Sequence, residues 1–175
     1  MTGSRLQGLP PVVGPDTRLL ILGSFPGVAS LKAQQYYGHP QNHFWKIWQA
    51  LWPDDPLPRP EHYDARCAWA LRHGLGIWDV YASCEREGSL DSAIRNAEVN
   101  DFAALRRRCP QLQLIAHNGG ESFRHARTVR AALEAGHLPL VKLPSTSPAN
   151  ASWSFERKLA AWREAAAQAG IISAS

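Results

Sequence analysis

Three segments of this 175-residue sequence concentrate residues able to do chemistry: Gly23-Ser24-Phe25-Pro26-Gly27, Tyr36-Tyr37-Gly38-His39-Pro40-Gln41-Asn42-His43-Phe44-Trp45, and Leu143-Pro144-Ser145-Thr146-Ser147-Pro148-Ala149-Asn150-Ala151. A fourth, His117-Asn118-Gly119-Gly120, follows an apolar run. The loops are rich in small residues, backbone donors and hydroxyls. In the first, the glycines let backbone approach a ligand closely, while Pro26 stiffens the turn and is expected to expose Phe25. It matches neither GxxxxGK[ST] nor GxGxxG, so neither ATP nor NAD is implied. Taken alone, it reads equally well as an ordinary strand-to-helix turn. His39 and His43 are four apart, as helical metal ligands would be, but Pro40 lies between them and no third ligand is evident. No metal and no cofactor are expected.

The elements that must position these loops follow from apolar periodicity. Residues 18–23, 77–81, 112–116 and 138–143 read as buried strands alternating with helical segments, the pattern of an α/β domain with a parallel sheet. Phe44, Ile47, Trp48 and Leu51 share one face of a helix whose start Pro40 is expected to set. Further helices are expected over 61–73, 101–108 and 120–135. In the last, Arg124, Arg127 and Arg130 recur every three residues and form a row able to meet phosphates. A final helix over 154–169 turns Phe155, Leu159, Trp162 and Ala166 inward and stops at Gly170. In open α/β sheets ligands bind beyond the carboxyl ends of the strands, where the small-residue loops fall.

The length fits one domain over 1–175, with its core at about 18–170. A composition that is 45% hydrophobic and 19% charged supports a packed core. Cys67, Cys84 and Cys109 form no CxxC, which argues against a disulfide framework and for a reducing, cytoplasmic compartment. Apolar stretches fall short of the roughly 20 residues that span a bilayer, so no membrane association is expected. The formal net charge of +4 is unevenly placed. Residues 1–100 hold 9 Lys and Arg against 10 Asp and Glu, whereas residues 101–175 hold 10 against 5. A basic half suits a polyanion partner, although such an excess is also common on solvated helices.

Read together, GSFPG, YYGHPQNHFW and LPSTSPANA resemble the uracil-DNA glycosylase superfamily, and within it the hypoxanthine-DNA glycosylase branch. WDVYASCEREGSLDSAIRNAEVNDF at 78–102 is also similar to that branch, and the resemblance spans about residues 18–165. It implies a three-layer α/β/α sandwich around a short, mainly parallel four-stranded sheet. It also implies a monofunctional glycosylase of base excision repair acting on double-stranded DNA with a deaminated base, with hypoxanthine (deoxyinosine) as the expected one. The superfamily's first motif usually carries an acid or asparagine that helps activate water, whereas this loop offers only Ser24 and Phe25. In the hypoxanthine branch the catalytic asparagine lies in HPxNxFW, which maps onto Asn42. Asn42 directly precedes an amphipathic helix, so a helix cap is the competing reading. The His-Pro-Ser of many relatives becomes Leu143-Pro144-Ser145 here.

On this resemblance Gly23, Ser24, Phe25, Pro26, Gly27, Tyr37, His39 and Asn118 form the base pocket. Phe25 would stack on the base, and the Asn118 amide would read its edge. Ser145, Thr146, Ser147, Pro148 and Asn150 would contact DNA, with 148–151 pressing into the minor groove. Without four cysteines, the iron–sulfur cluster of some relatives is not expected. The rival readings are a uracil or mismatch glycosylase and a non-catalytic nucleic-acid or nucleotide-binding α/β module.

Overall fold

The computed structural model describes residues 4–173. In chain order the strands are β1 (Leu6–Gln7), β2 (Leu19–Gly23), β3 (Leu75–Asp79), β4 (Tyr81–Glu85), β5 (Arg95–Val99), β6 (Leu114–Asn118) and β7 (Leu140–Leu143). The helices are α1 (Val28–Ala33), α2 (Phe44–Leu51), α3 (Tyr63–Arg72), α4 (Phe102–Leu105), α5 (Gly120–Phe123), α6 (Ala126–Ala132) and α7 (Phe155–Gln168).

Strands whose residues are all buried need cover on both faces, and the run LLILG of β2 is of this kind. It forms the centre of a parallel sheet ordered β3-β2-β6-β7. Helices α2, α3 and α7 cover one face through an aromatic cluster in which Trp48 and Trp162 rings lie 5.9 Å apart, and Trp52 and Trp69 rings 5.5 Å apart. Helices α4, α5 and α6 cover the other, so the domain is the expected three-layer sandwich. Two helices begin with conventional caps: Asp101 accepts from Ala104 N–H at 3.2 Å, and Ser154 from Arg157 N–H at 3.2 Å. No helix among the described residues is long and apolar enough to cross a membrane.

Several expectations are corrected. The strand expected over 77–81 is β3, which ends at Asp79; Val80 N–H then donates to Gly23 C=O at 2.8 Å, and the chain turns into β4. β4 pairs antiparallel with β1 and β5 in a small second sheet. The long helix expected over 120–135 is broken after α5, because the Ser122 hydroxyl is tied to the sheet by donating to Leu22 C=O at 2.7 Å. The arginine row is broken with it: Arg124 pairs with Glu121 at 3.0 Å, and Arg130 donates to Leu138 C=O at 2.9 Å. Residues 101–108 form α4 and one 3₁₀ turn. The chain entering α2 is a turn closed by Asn42 N–H to His39 C=O at 3.0 Å, so the helix begins at Phe44 and not at Pro40.

Gly76 in β3 tests the packing. A Cβ there would stand 2.7 Å from Thr17 Cγ2 and 3.2 Å from Val13 Cγ1. Gly76→Ala is expected to destabilise the fold by about 1–3 kcal/mol through overpacking, read as a lower urea midpoint with an unchanged slope.

Candidate functional site

Each strand of the parallel sheet delivers its last residue to one cavity. Gly23, Asp79, Asn118 and Leu143, the ends of β2, β3, β6 and β7, all line a space of about 830 Å³. Its walls are completed by 24–30, parts of 36–42, 89–92 and 144–150. Every residue expected for the base pocket and the DNA-contacting loop therefore lies around this one cavity, together with Asn42.

In the first wall Ser24 Oγ donates to Asp91 Oδ1 at 2.6 Å, and Val28 N–H donates to Ser89 Oγ at 2.9 Å. These bonds fasten GSFPG to the loop after β4. Phe25 is not exposed, although the stiffening of the turn by Pro26 suggested it would be. It is buried beneath the Arg86 guanidinium, 5.3 Å from the ring centroid, and Arg86 also donates to Pro26 C=O at 2.8 Å.

The second wall carries Tyr37, His39 and Asn42. Tyr37 stacks on Phe44 at 4.0 Å with its backbone at φ 53°, a left-handed conformation costly for a bulky residue. Its hydroxyl is buried without a well-formed hydrogen bond; burial and Asp79 raise its pKa, and the neighbouring Asn118 amide opposes them. The His39 ring accepts from Gln41 N–H at 3.1 Å. Asn42 Oδ1 accepts from Phe44 N–H at 2.9 Å, a two-residue Asx turn one position before the N-cap of α2, which is His43, and the residue lines the cavity.

The third wall is the loop after β7. Asn118 Nδ2 donates to Thr146 Oγ1 at 3.0 Å, and Thr146 N–H donates to Asn118 Oδ1 at 3.0 Å. Both ends of the amide expected to read a base are thus engaged by the loop, and Thr146 is buried as its anchor. Thr146 C=O accepts from His43 N–H at 3.0 Å, joining this wall to the Asn42 segment. Ser145 Oγ and Ser147 Oγ each accept a backbone N–H two residues on, at 3.1 Å, which holds the loop in successive tight turns. Lys158 is only 1% exposed on the inner face of α7, where its Nζ donates to His43 Nδ1 at 3.2 Å and Ser147 C=O at 3.4 Å. Burial and this ammonium push the His43 pKa down.

Sequence reasoning missed the two cavity acids. Burial, reinforced by Asp91, pushes the Asp79 carboxyl up to about 7, with Arg86 opposing. Asp91 is likewise raised by burial, partly offset by the Ser24 hydrogen bond. Asp79 was hidden in IWDVY, which reads as one continuous strand; an acid inside so apolar a run was the available signal. Asp91 sits in a 3₁₀ turn that no periodicity announces. His117 faces away from the cavity, its Nδ1 2.8 Å from Ser122 Oγ, and burial holds its pKa down to about 4.

Comparison with known proteins agrees with this architecture. Residues 10–166 match the family model of the uracil DNA glycosylase superfamily. A hypoxanthine DNA glycosylase of Methanosarcina barkeri is 36% identical over 159 residues, covering 91% of this chain and 96% of that protein. One from Methanosarcina acetivorans is 36% identical over 152 residues, covering 87% and 92%. A solution NMR structure described as a candidate uracil DNA glycosylase from Methanosarcina acetivorans superposes with a TM-score of 0.77 at 32% identity, covering 96% of this chain and 99% of that one. With the family model matched over most of its length, and the motif loops gathered at the carboxyl ends of one parallel sheet, the chain belongs to the uracil DNA glycosylase superfamily and is a DNA glycosylase.

Proposed function

We propose that this glycosylase removes hypoxanthine from deoxyinosine in double-stranded DNA. The observation that carries this reading is the placement of Asn42 in the wall of the cavity where all four parallel strands end. The preference for hypoxanthine is supported by the names of the two Methanosarcina relatives. A glycosidic bond inside a duplex is out of reach of any side chain, so the nucleotide must rotate out of the stack into a pocket.

Asn42 then orients water toward C1′. The amide is no strong base, so the base departs ahead of full attack and the DNA phosphates help stabilise the cationic sugar. Phe44 N–H occupies one lone pair of Asn42 Oδ1 and leaves the other for a water proton; the Asx-turn bond therefore holds the amide in its working orientation. Ser145, Ser147, Asn150 and the backbone of 23–27 hold the DNA backbone, and Thr146 fixes them in place.

Extrusion leaves a gap in the stack, and the cavity rim offers apolar side chains to fill it. Among the described residues the exposed large hydrophobics are Val28 (52%), Leu90 (58%) and Val99, and the first two line the cavity. The Ser89 and Asp91 bonds tie the loop that carries Leu90 to the GSFPG segment. In this reading Leu90 fills the gap, and Pro148 and Asn150 line the same cavity.

A second reading, uracil excision, is favoured by the description of the NMR relative. Duplexes with a single inosine, uracil or thymine mismatch rank the two. Alkali-labile abasic sites are expected fastest at inosine, and inactivity on all three would overturn the proposal. Asn42→Ala should lower single-turnover excision by about 100-fold or more with DNA affinity nearly unchanged; Asn42→Asp, which keeps an acceptor for Phe44 N–H, controls for folding. Leu90→Ala should slow excision from a duplex by roughly tenfold, the loss of one rim contact worth about 1.4 kcal/mol, and leave single-stranded substrate unaffected.

A further inference from the structure

Five buried side-chain polar atoms among the described residues lack a partner, and two of them belong to the cavity wall: Tyr37 Oη and Asp79 Oδ2. Both flank Gly23. A Cβ built at Gly23 would stand 2.6 Å from Asp79 Oδ1 and 3.1 Å from Tyr37 Oη, so the hydroxyl and the carboxyl close on the one strand-end position that bears no side chain. Asp79 is opposite Gly23 in the parallel register and only 4% exposed. Tyr37 is held in its costly left-handed conformation by stacking on Phe44. Buried polar groups are normally satisfied, and unpaired ones beside backbone strain collect where a ligand completes the bonding.

We infer that Asp79, with the Tyr37 hydroxyl beside it, reads the hydrogen-bonding edge of the extruded base. The inference rests on the glycosylase reading above. Hypoxanthine shows a ring N–H donor next to a carbonyl acceptor, and uracil a similar edge. A neutral carboxylic acid complements both at once: its C=O accepts from the ring N–H, and its O–H donates to the carbonyl. A carboxylate can only accept and would face the base carbonyl with like charge. The Tyr37 hydroxyl supplies a further donor. Asn118, the amide that the sequence suggests for this task, gives one bond from each end to Thr146 and faces the Tyr37 hydroxyl besides, so it is held in the wall as a support.

The surroundings favour the neutral acid. Burial dominates, Asp91 across the cavity adds to it, the Arg86 guanidinium opposes, and Tyr36 and Tyr37 are the other titratable groups close to it. With the carboxyl pushed up to about 7, the base-reading form prevails below that pH and is lost above it. The raised value also sets the sign for stability. The contribution of Asp79 is fully present below the ordinary 3.8 and is lost as pH rises through about 7.

The test is single-turnover excision from an inosine duplex between pH 5.5 and 8.5, with affinity for a tetrahydrofuran-containing duplex measured alongside. The parent rate is expected to fall about tenfold per pH unit above the Asp79 midpoint, as for one ionisation. Asp79→Asn, whose amide keeps a donor and an acceptor, should stay active near pH 7 and lose the alkaline fall. It should also melt hotter than the parent above pH 7, with the difference closing toward pH 4. Asp79→Ala should lose excision by about 100-fold, and Tyr37→Phe by about tenfold, the worth of two neutral hydrogen bonds and of one respectively, while abasic-site affinity holds. Superimposable pH profiles for the parent and Asp79→Asn, or full activity of Asp79→Ala, would overturn the inference. A parent inactive on every base would fail the glycosylase reading first. If uracil is the base removed, the same profiles are measured on a uracil duplex.

Discussion

The site depends on a single buried residue, Thr146, whose polar groups are all spoken for. Its N–H and hydroxyl are locked to the two ends of the Asn118 amide, and its carbonyl receives His43 N–H. These bonds extend the β6–β7 pairing, which ends at Asn118 opposite Leu143, into the loop after β7 and join both to the segment bearing Asn42. In a buried setting each bond is costly to leave unmade, which gives the arrangement its rigidity. Lys158 reinforces the same junction from beneath, reaching both His43 and Ser147.

Around this junction the molecule divides its labour. The helical layer of α2, α3 and α7 is built from interlocked indole and phenyl rings, and the sheet beneath it is almost wholly apolar. That side supplies stability. The cavity side spends some of it on unsatisfied polar atoms, a tyrosine in left-handed geometry and two neighbouring carboxyl groups. Such a bias is expected where a wall must be set before a ligand arrives.

Much of this was legible in the sequence. The parallel sheet, the amphipathic faces of α2 and α7 and the placing of GSFPG and STSPAN at strand ends all follow from periodicity and small-residue punctuation. The losses have physical causes. RNAEV of β5 is mostly exposed and carries no alternation to betray a strand. The break between α5 and α6 is imposed by a hydroxyl bonding to a distant strand, which local propensity cannot register. Asn42 could be placed but not oriented, because its bond to Phe44 is visible only in space. Asp79 was concealed by its apolar neighbours, and its partner Tyr37 lies 42 positions away in the chain.

The parallel order β3-β2-β6-β7 also bears on how the protein comes into being. Its cavity is made from strand ends at residues 23, 79, 118 and 143, closed by a loop that α7 pins through Trp162 to Pro144 C=O at 3.0 Å. Pairings so distant along the chain form slowly and late in folding. An amino-terminal portion short of the loop after β7 holds the first two walls but not the third, so the cavity is complete only when that loop and the last helix are in place.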